Sequence, residues 1–439
     1  MISYLQKVNS VAKPGYNRWL VPIAALSIHL CIGQIYAFSV FNEPLKNEGW
    51  KLTELGWIFT IALFFLGASA AVFGKWVERV GPRKTMFVAA LCFSSGFMIS
   101  AFGIHIHNIW FLYLGSGLIG GIGLGLGYIS PVSTLIKWFP DRPGMATGMA
   151  IMGFGGGAMI ASPLSVFLMD QYSNTSSNGI MESFLIMGCI YLILMVFGSI
   201  IVKIPDEGWR PKGFKLSENK AKDKMITTAN VLADTAIKTP QFKLLFLVLM
   251  LNVTAGIGVL SQADVMVKEI FEINKIEAAS FVALLSLFNM LGRFIWSSLS
   301  DYIGRKNTYT IFFVLGMALY IMVPFAGNMG SVLLFSIAFS IILSMYGGGF
   351  ATIPAYLKDM FGTKQVGAIH GRLLLAWSLA AILGPVTINY LREYQLDVIN
   401  MPKAEVYNIT MYLMAGLLLI GLICNLMVKP VDAQYHDQV

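Results

Sequence analysis

The chain of 439 residues is 56% hydrophobic and only 12% Asp, Glu, Lys or Arg, about half the charged fraction of a soluble domain. Its mean hydropathy of +0.69 excludes a soluble enzyme, a nucleic-acid-binding protein and a disordered chain, so the formal charge of +8 matters through where each cation sits against a bilayer. Four cysteines, Cys31, Cys92, Cys189 and Cys424, fall singly in apolar runs and read as small buried hydrophobes, neither a disulfide framework nor a metal set.

A bilayer core about 30 Å thick takes about 20 apolar residues per helix. Twelve such runs follow one another: 19–41, 55–74, 86–104, 109–136, 144–169, 182–202, 242–263, 278–300, 308–327, 331–357, 367–391 and 405–428. They are continuously apolar, where a β-barrel would alternate, so the expected fold is an all-α polytopic membrane protein with twelve transmembrane helices. The first run is too long for a removed signal peptide. With both termini in the cytoplasm, 24 of the 31 Lys and Arg residues lie inside and six lie outside, and Arg293 remains within the eighth span. The positive-inside rule therefore predicts that orientation.

The only long polar stretch, 203–243, holds nine Lys or Arg residues and divides the chain into six spans and six. The expected organisation is an N-terminal bundle over 1–203, a cytoplasmic linker over 204–241 and a C-terminal bundle over 242–439. An internal repeat supports it. Glu78 and Gly81 after the second span recur as Asp301 and Gly304 after the eighth, Pro131 recurs as Pro354, and Gly148 as Gly371, all at one offset of 223 residues. Four matched positions with no gap between them predict two pseudo-symmetric six-helix bundles.

The acid, basic residue, glycine and further basic residues of these two loops (Gly74, Glu78, Arg79, Gly81, Arg83; Asp301, Gly304, Arg305, Lys306) resemble the signature of the major facilitator superfamily. Asn17-Arg18-Trp19, Tyr36-Ala-Phe-Ser-Val-Phe, Trp138-Phe139-Pro140-Asp141-Arg142, Thr239-Pro240-Gln241-Phe242 and Gly292-Arg293 resemble, more narrowly, its oxalate/formate antiporter family and monocarboxylate-transporting relatives. The resemblance implies the major facilitator fold and a multi-pass carrier of the cell membrane that works as a monomer, moves a small anion and needs no cofactor. It also implies that the two loops form a charge network that holds the outward-open state of the carrier together.

Arg293 is the first candidate for the site. A charge at mid-span costs at least about 2.5–3.5 kcal/mol on insertion scales, so it must face protein, water or an anion. Ser286, Asn289, Arg293 and Ser297 share one helical face, which predicts a polar cavity wall. A guanidinium grips a carboxylate through two parallel hydrogen bonds, and in the resembling family the matching Arg contacts the substrate carboxylate. The structural alternative is an Arg held by helix carbonyls.

The family's dicarboxylate antiporter places a second cation in span 11, where this chain has Trp377. One buried cation balances one carboxylate, which predicts a monocarboxylate such as formate, lactate or pyruvate. Tyr36 and Tyr128 match aromatic positions lining the family's site, and Phe154, Tyr346 and Phe350 stand where it also uses aromatics. No Asp or Glu lies centrally in any span. For proton coupling this leaves His29 and, near outer ends, Glu43, Asp264 and Glu269, with His29 and Asp264 the foremost, and proton symport and anion exchange both stay open. A carrier for another carboxylate-bearing solute such as an amino acid, and a non-transporting sensor with a carrier fold, are the alternative functions. No span presents paired catalytic groups, and Gly121-x-Gly123 lacks the strand and acid of a dinucleotide loop.

Overall fold

The computed structural model describes residues 3–174, 177–206, 208–213, 225–403 and 405–437. Twelve helices are long and apolar enough to cross a membrane. They are α1 (Leu20–Asn47), α2 (Leu52–Val80), α3 (Pro82–His105), α4 (Ile109–Trp138), α5 (Pro143–Tyr172), α6 (Ile180–Ile201), α7 (Pro240–Phe271), α8 (Ile276–Ile303), α9 (Arg305–Asn328), α10 (Val332–Phe361), α11 (Val366–Asp397) and α12 (Asn408–Met427). Several run past the apolar runs because their ends are built from capping residues and not from hydrophobic ones. Pro82, Pro143 and Pro240 each occupy a first helical turn, where the missing N–H is no loss. Gly81 (φ 84°) and Gly304 (φ 85°) each join two successive helices in a conformation that a side chain disfavours, which accounts for the repeated glycine.

The helices form two six-helix bundles, α1–α6 and α7–α12, with the chain termini and the α6–α7 connection on one face, here called the terminal face. Lys215, Lys220, Lys222 and Lys224 of that connection lie outside the described residues. Two helix pairs make the main seam between bundles, α5 against α8 and α2 against α11. Both seams are tight because glycines line them. A Cβ at Gly148 would collide with Ser297, and one at Gly371 would collide with the backbone of Ala70. Small residues at helix crossings let backbones approach where lipid supplies no hydrophobic drive.

Three helices are irregular. α1 tightens from an α-helix over Leu20–Ile32 to a 3-10 helix from Gly33, and α4, after an α-helical turn over Ile109–Leu112, widens to a π-helix over Tyr113–Ile119. α11 is in two pieces, Val366–Leu373 and Leu375–Asp397. The distortions of α1 and α11 fall beside Tyr36 and Trp377, at the centre of the molecule, where such departures commonly mark moving parts.

Candidate functional site

Arg293 lies about 15 Å along α8 from its terminal-face end, at 1.5 Å per residue, and is 1% exposed. Its Nε donates to Asn289 Oδ1 at 3.2 Å and its Nη1 to the backbone carbonyl of Ile151, in the opposite bundle, at 3.3 Å. Nη2 is buried without a partner, and no carboxylate pairs with Arg293 among the described residues. The guanidinium lies 5.6 Å from the ring centre of Phe154 and 5.7 Å from that of Phe350, one ring from each bundle. Gly155 makes the approach possible, since a Cβ there would stand 3.0 Å from Arg293 Nε.

Aromatic rings surround this cation. Tyr36 meets Phe154 at 5.2 Å between centres, Tyr128 meets Phe154 at 5.5 Å, and Trp377 meets Tyr128 at 5.6 Å and Phe350 at 4.6 Å. Tyr346 completes the group at 5.5 Å from Phe350. Phe154 and Trp377, themselves 5.5 Å apart, are separated by the repeat's own 223 residues, so equivalent positions of the two bundles meet at the seam. All eight residues expected around a substrate are thus together: Arg293, Asn289, Tyr36, Tyr128, Phe154, Tyr346, Phe350 and Trp377.

The polar atoms in this cage share one character. Arg293 Nη2 and Trp377 Nε1 can only donate, and the hydroxyls of Tyr36, Tyr128 and Tyr346 can donate; all five are buried without a hydrogen bond of normal geometry. The Tyr36 and Tyr346 hydroxyls approach one another across the seam. A buried donor without a partner costs about 1–3 kcal/mol, and an unpaired buried charge costs more. An enclosure of unfilled donors around a cation is suited to accept an anion.

His29 lies beside the cage, 5.4 Å from the Tyr128 ring, while Asp264 does not join it. Asp264 pairs with Lys268 at 2.6 Å on the opposite face of the molecule, half exposed. His370, which sequence reasoning passed over, also packs against Tyr128, at 5.8 Å. Its place inside the eleventh apolar run, 367–391, was the signal that it is buried. A separate small cavity inside the second bundle, lined by Asn252, Gly256, Tyr320 and Tyr346 among others, does not reach the guanidinium.

At the terminal face the two repeated acids cross the seam reciprocally. Glu78 Oε1 accepts from the backbone N–H of Gly367, at the start of α11, at 2.9 Å. Asp301 accepts from the N–H groups of Gly144 and Met145, at the start of α5, both at 2.9 Å. Gly144 and Gly367 stand at the same 223-residue offset as the acids. A carboxylate at a helix N-terminus is favoured by the unpaired N–H groups and the helix dipole. Each acid is also held by a cation of its own bundle, Glu78 by Lys137 at 2.6 Å and Asp301 by Arg305, which spans to Asp359 at 3.0 Å.

Arg83 and Lys306 have a different task from the one expected. Arg83 donates to the carbonyls of Tyr4 and Asn9, and Lys306 to those of Leu426 and Val428, so each ties a terminal segment to its own bundle. Arg79 is exposed and enters none of the ion pairs among the described residues. Gly74 packs against Ala368 of α11. Asp234, in the described part of the α6–α7 connection, pairs with Lys75 of the first bundle and with Arg372 of the second, the latter at 2.6 Å. These contacts shut the terminal face.

Two bundles of six membrane helices joined at a seam that encloses a lone cation define a transporter of small molecules, not an enzyme. Residues 24–385 match the Major Facilitator Superfamily, and the chain belongs to that family. It is 25% identical over 370 residues to an uncharacterized transporter of Escherichia coli, covering 83% of this chain and 86% of that one. It is 24% identical to the oxalate:formate antiporter of Oxalobacter formigenes, covering 84% and 83%, and 22% identical to apicoplast pyruvate carrier 1 of Toxoplasma gondii, covering 79% and 71%. Among solved structures, the Escherichia coli fucose:proton symporter superposes with a TM-score of 0.67 at 14% identity, over 94% of this chain and all of that one. The proton:xylose symporter XylE gives 0.68 at 16%, over 94% and 96%.

Proposed function

We propose that this transporter moves a small monocarboxylate by alternating access, with Arg293 holding the carboxylate at the seam. The observation that carries this reading is a buried guanidinium that has no acid of its own, with Arg293 Nη2, Trp377 Nε1 and the Tyr128 hydroxyl left without partners among the described residues. Such a site is electrostatically incomplete until an anion enters, and the aromatic walls leave room in the charge balance for a single negative charge. Relatives that transport oxalate and formate, and pyruvate, support the choice of a carboxylate. An amino acid would bring an ammonium group, and no carboxylate among the described residues pairs with Arg293 to receive one.

The bundles over 1–203 and 242–439 act as the two moving bodies and 204–241 as their connection. The positive-inside count supports a cytoplasmic terminal face and insertion in the cell membrane, and the structure then corresponds to a carrier closed toward the cytoplasm. The network of Glu78, Asp301 and Arg305 keeps it so. Both bundles and the whole cage come from one chain, and we take the monomer as the working unit.

The test is uptake of labelled lactate into proteoliposomes loaded with lactate, competed by formate, oxalate and alanine. Exchange blocked by formate but not by alanine or oxalate is expected. Exchange absent for lactate and formate alike, or blocked by alanine as well as by formate, sinks the monocarboxylate reading.

A further inference from the structure

Two buried imidazoles remain that binding an anion at Arg293 does not use. His29 of the first bundle is fully buried and His370 of the second is 1% exposed, and both pack on the Tyr128 ring, 5.4 Å and 5.8 Å from its centre. Ring nitrogen Nδ1 of His29 is 3.0 Å from the backbone carbonyl of Ala25. A carbonyl only accepts, so Nδ1 carries the hydrogen and Nε2 presents a bare lone pair. That Nε2 has no partner, and neither has Nε2 of His370.

The surroundings of the pair contain one unbalanced charge. Around His29 stand Tyr128 on α4, Gly153 on α5, Arg293 on α8 and His370 on α11, while Tyr191 of α6 lies beside Cys31. Around His370 stand Tyr128 and His29. The charged groups nearest along α11 and α10 are already paired, Arg372 with Asp234 and Asp359 with Arg305 and Lys358, and Glu78 at the end of α2 is paired with Lys137 of α4. No carboxylate is hydrogen-bonded to either imidazole among the described residues.

We propose that His29 and His370, one from each bundle, carry the proton of a proton-coupled cycle while Arg293 holds the anion. The proposal rests on the reading of Arg293 as a carboxylate site. An anion entering beside Arg293 cancels the one positive charge in the cage. A proton arriving from water with it forms an N–H bond at His29 Nε2 and restores that charge. The loaded carrier then buries the same net charge as the empty one, so both reorient across a low-dielectric barrier on equal terms.

His29 lies roughly 14 Å along α1 from the terminal face and His370 roughly 6 Å along α11, at 1.5 Å per residue. The second imidazole is therefore the nearer to water when the bundles part on that side. It takes the proton and passes it out, and both imidazoles return to the neutral form.

The experiment measures lactate and proton together in proteoliposomes of the wild type, His29→Gln and His370→Gln. At one proton per anion, an inward gradient of one pH unit should accumulate lactate about tenfold in the wild type, and adding lactate should alkalinise the outside. In each variant the accumulation is expected to vanish while lactate–lactate exchange falls much less, because exchange needs no net proton movement. Accumulation retained in both variants overturns the proposal. So does a wild type that exchanges lactate without alkalinising the medium, a result that needs no variant to fold. A wild type that exchanges neither lactate nor formate overturns instead the carboxylate reading beneath it.

Discussion

Arg293 is a positive charge that the folded chain leaves unbalanced in its interior, and the consequences are measurable. Anything that binds the folded form alone raises its stability by mass action. Formate or lactate is therefore expected to raise the melting temperature of the purified wild type and to leave Arg293→Ala unmoved; equal shifts in both would place binding elsewhere. Arg293→Lys keeps the charge but loses the two-pronged donor, so its transport should fall by at least about tenfold, a charge-assisted hydrogen bond being worth about 1.5–3 kcal/mol. Trp377→Lys adds the second cation that a dicarboxylate needs. Oxalate should then compete with lactate, and continued exclusion of oxalate would refute the charge-balance explanation of selectivity.

These residues were legible in the sequence because a lone Arg in an apolar run has few places to go, and because helical spacing put Asn289 and Ser297 on its face. His370, Asp234 and Asp359 were not. Their partners lie far along the chain or, for Asp359, across the seam of two neighbouring helices. Asp234 meets Lys75 across 159 positions and Arg372 across 138, and no local periodicity encodes such a pairing.

At the scale of the helix, the spans themselves followed from hydropathy, but their ends and irregularities followed from packing. The tightening of α1 at Gly33 reflects a Cβ-free surface pressed against the carbonyl of Phe154. The acids at the ends of α2 and α8 were visible as a repeated motif, yet what they hold, the first N–H groups of α11 and α5, was not. Asp301 is almost fully buried and accepts from two N–H groups as well as from Arg305, whereas Glu78 accepts from one N–H group and Lys137 and is more exposed. Asp301→Asn should therefore open the terminal face more than Glu78→Gln, by about tenfold or more in population for a loss of about 1.4 kcal/mol. Labelling, by a membrane-impermeant thiol reagent, of a cysteine placed at Ala351, a buried residue of α10 whose carbonyl accepts from Thr147 of α5 across the seam, would report it; equal labelling of the two variants would contradict the ranking. A larger side chain at the other tight crossing, Gly371→Leu, is expected to wedge α11 from α2 and raise the same labelling.

For the whole molecule, pH separates the latch on the surface from the site within. Hydrogen bonds from Lys75 and Arg372 hold the Asp234 carboxyl down at about 2. A carboxyl lowered on folding contributes stability above its unfolded value, near 3.9, and loses it only as pH falls toward 2. The latch therefore stays charged throughout pH 5–8. Asp234→Asn should weaken closure equally at both ends of that window, and any change in transport between them is expected to survive the substitution; its disappearance would assign the pH response to the latch.

The reciprocal capping of Glu78 on Gly367 and Asp301 on Gly144 has the form of an isologous interface, in which residue i meets j while j meets i. A single six-helix ancestor carrying one acid and one glycine would already have been self-complementary and would have assembled as a two-fold dimer before any fusion joined the copies. The covalent connection would then be dispensable for assembly. Residues 1–203 and 225–439 produced as separate polypeptides in one cell should find each other and restore transport, whereas halves that remain apart would show that the seam needs its tether.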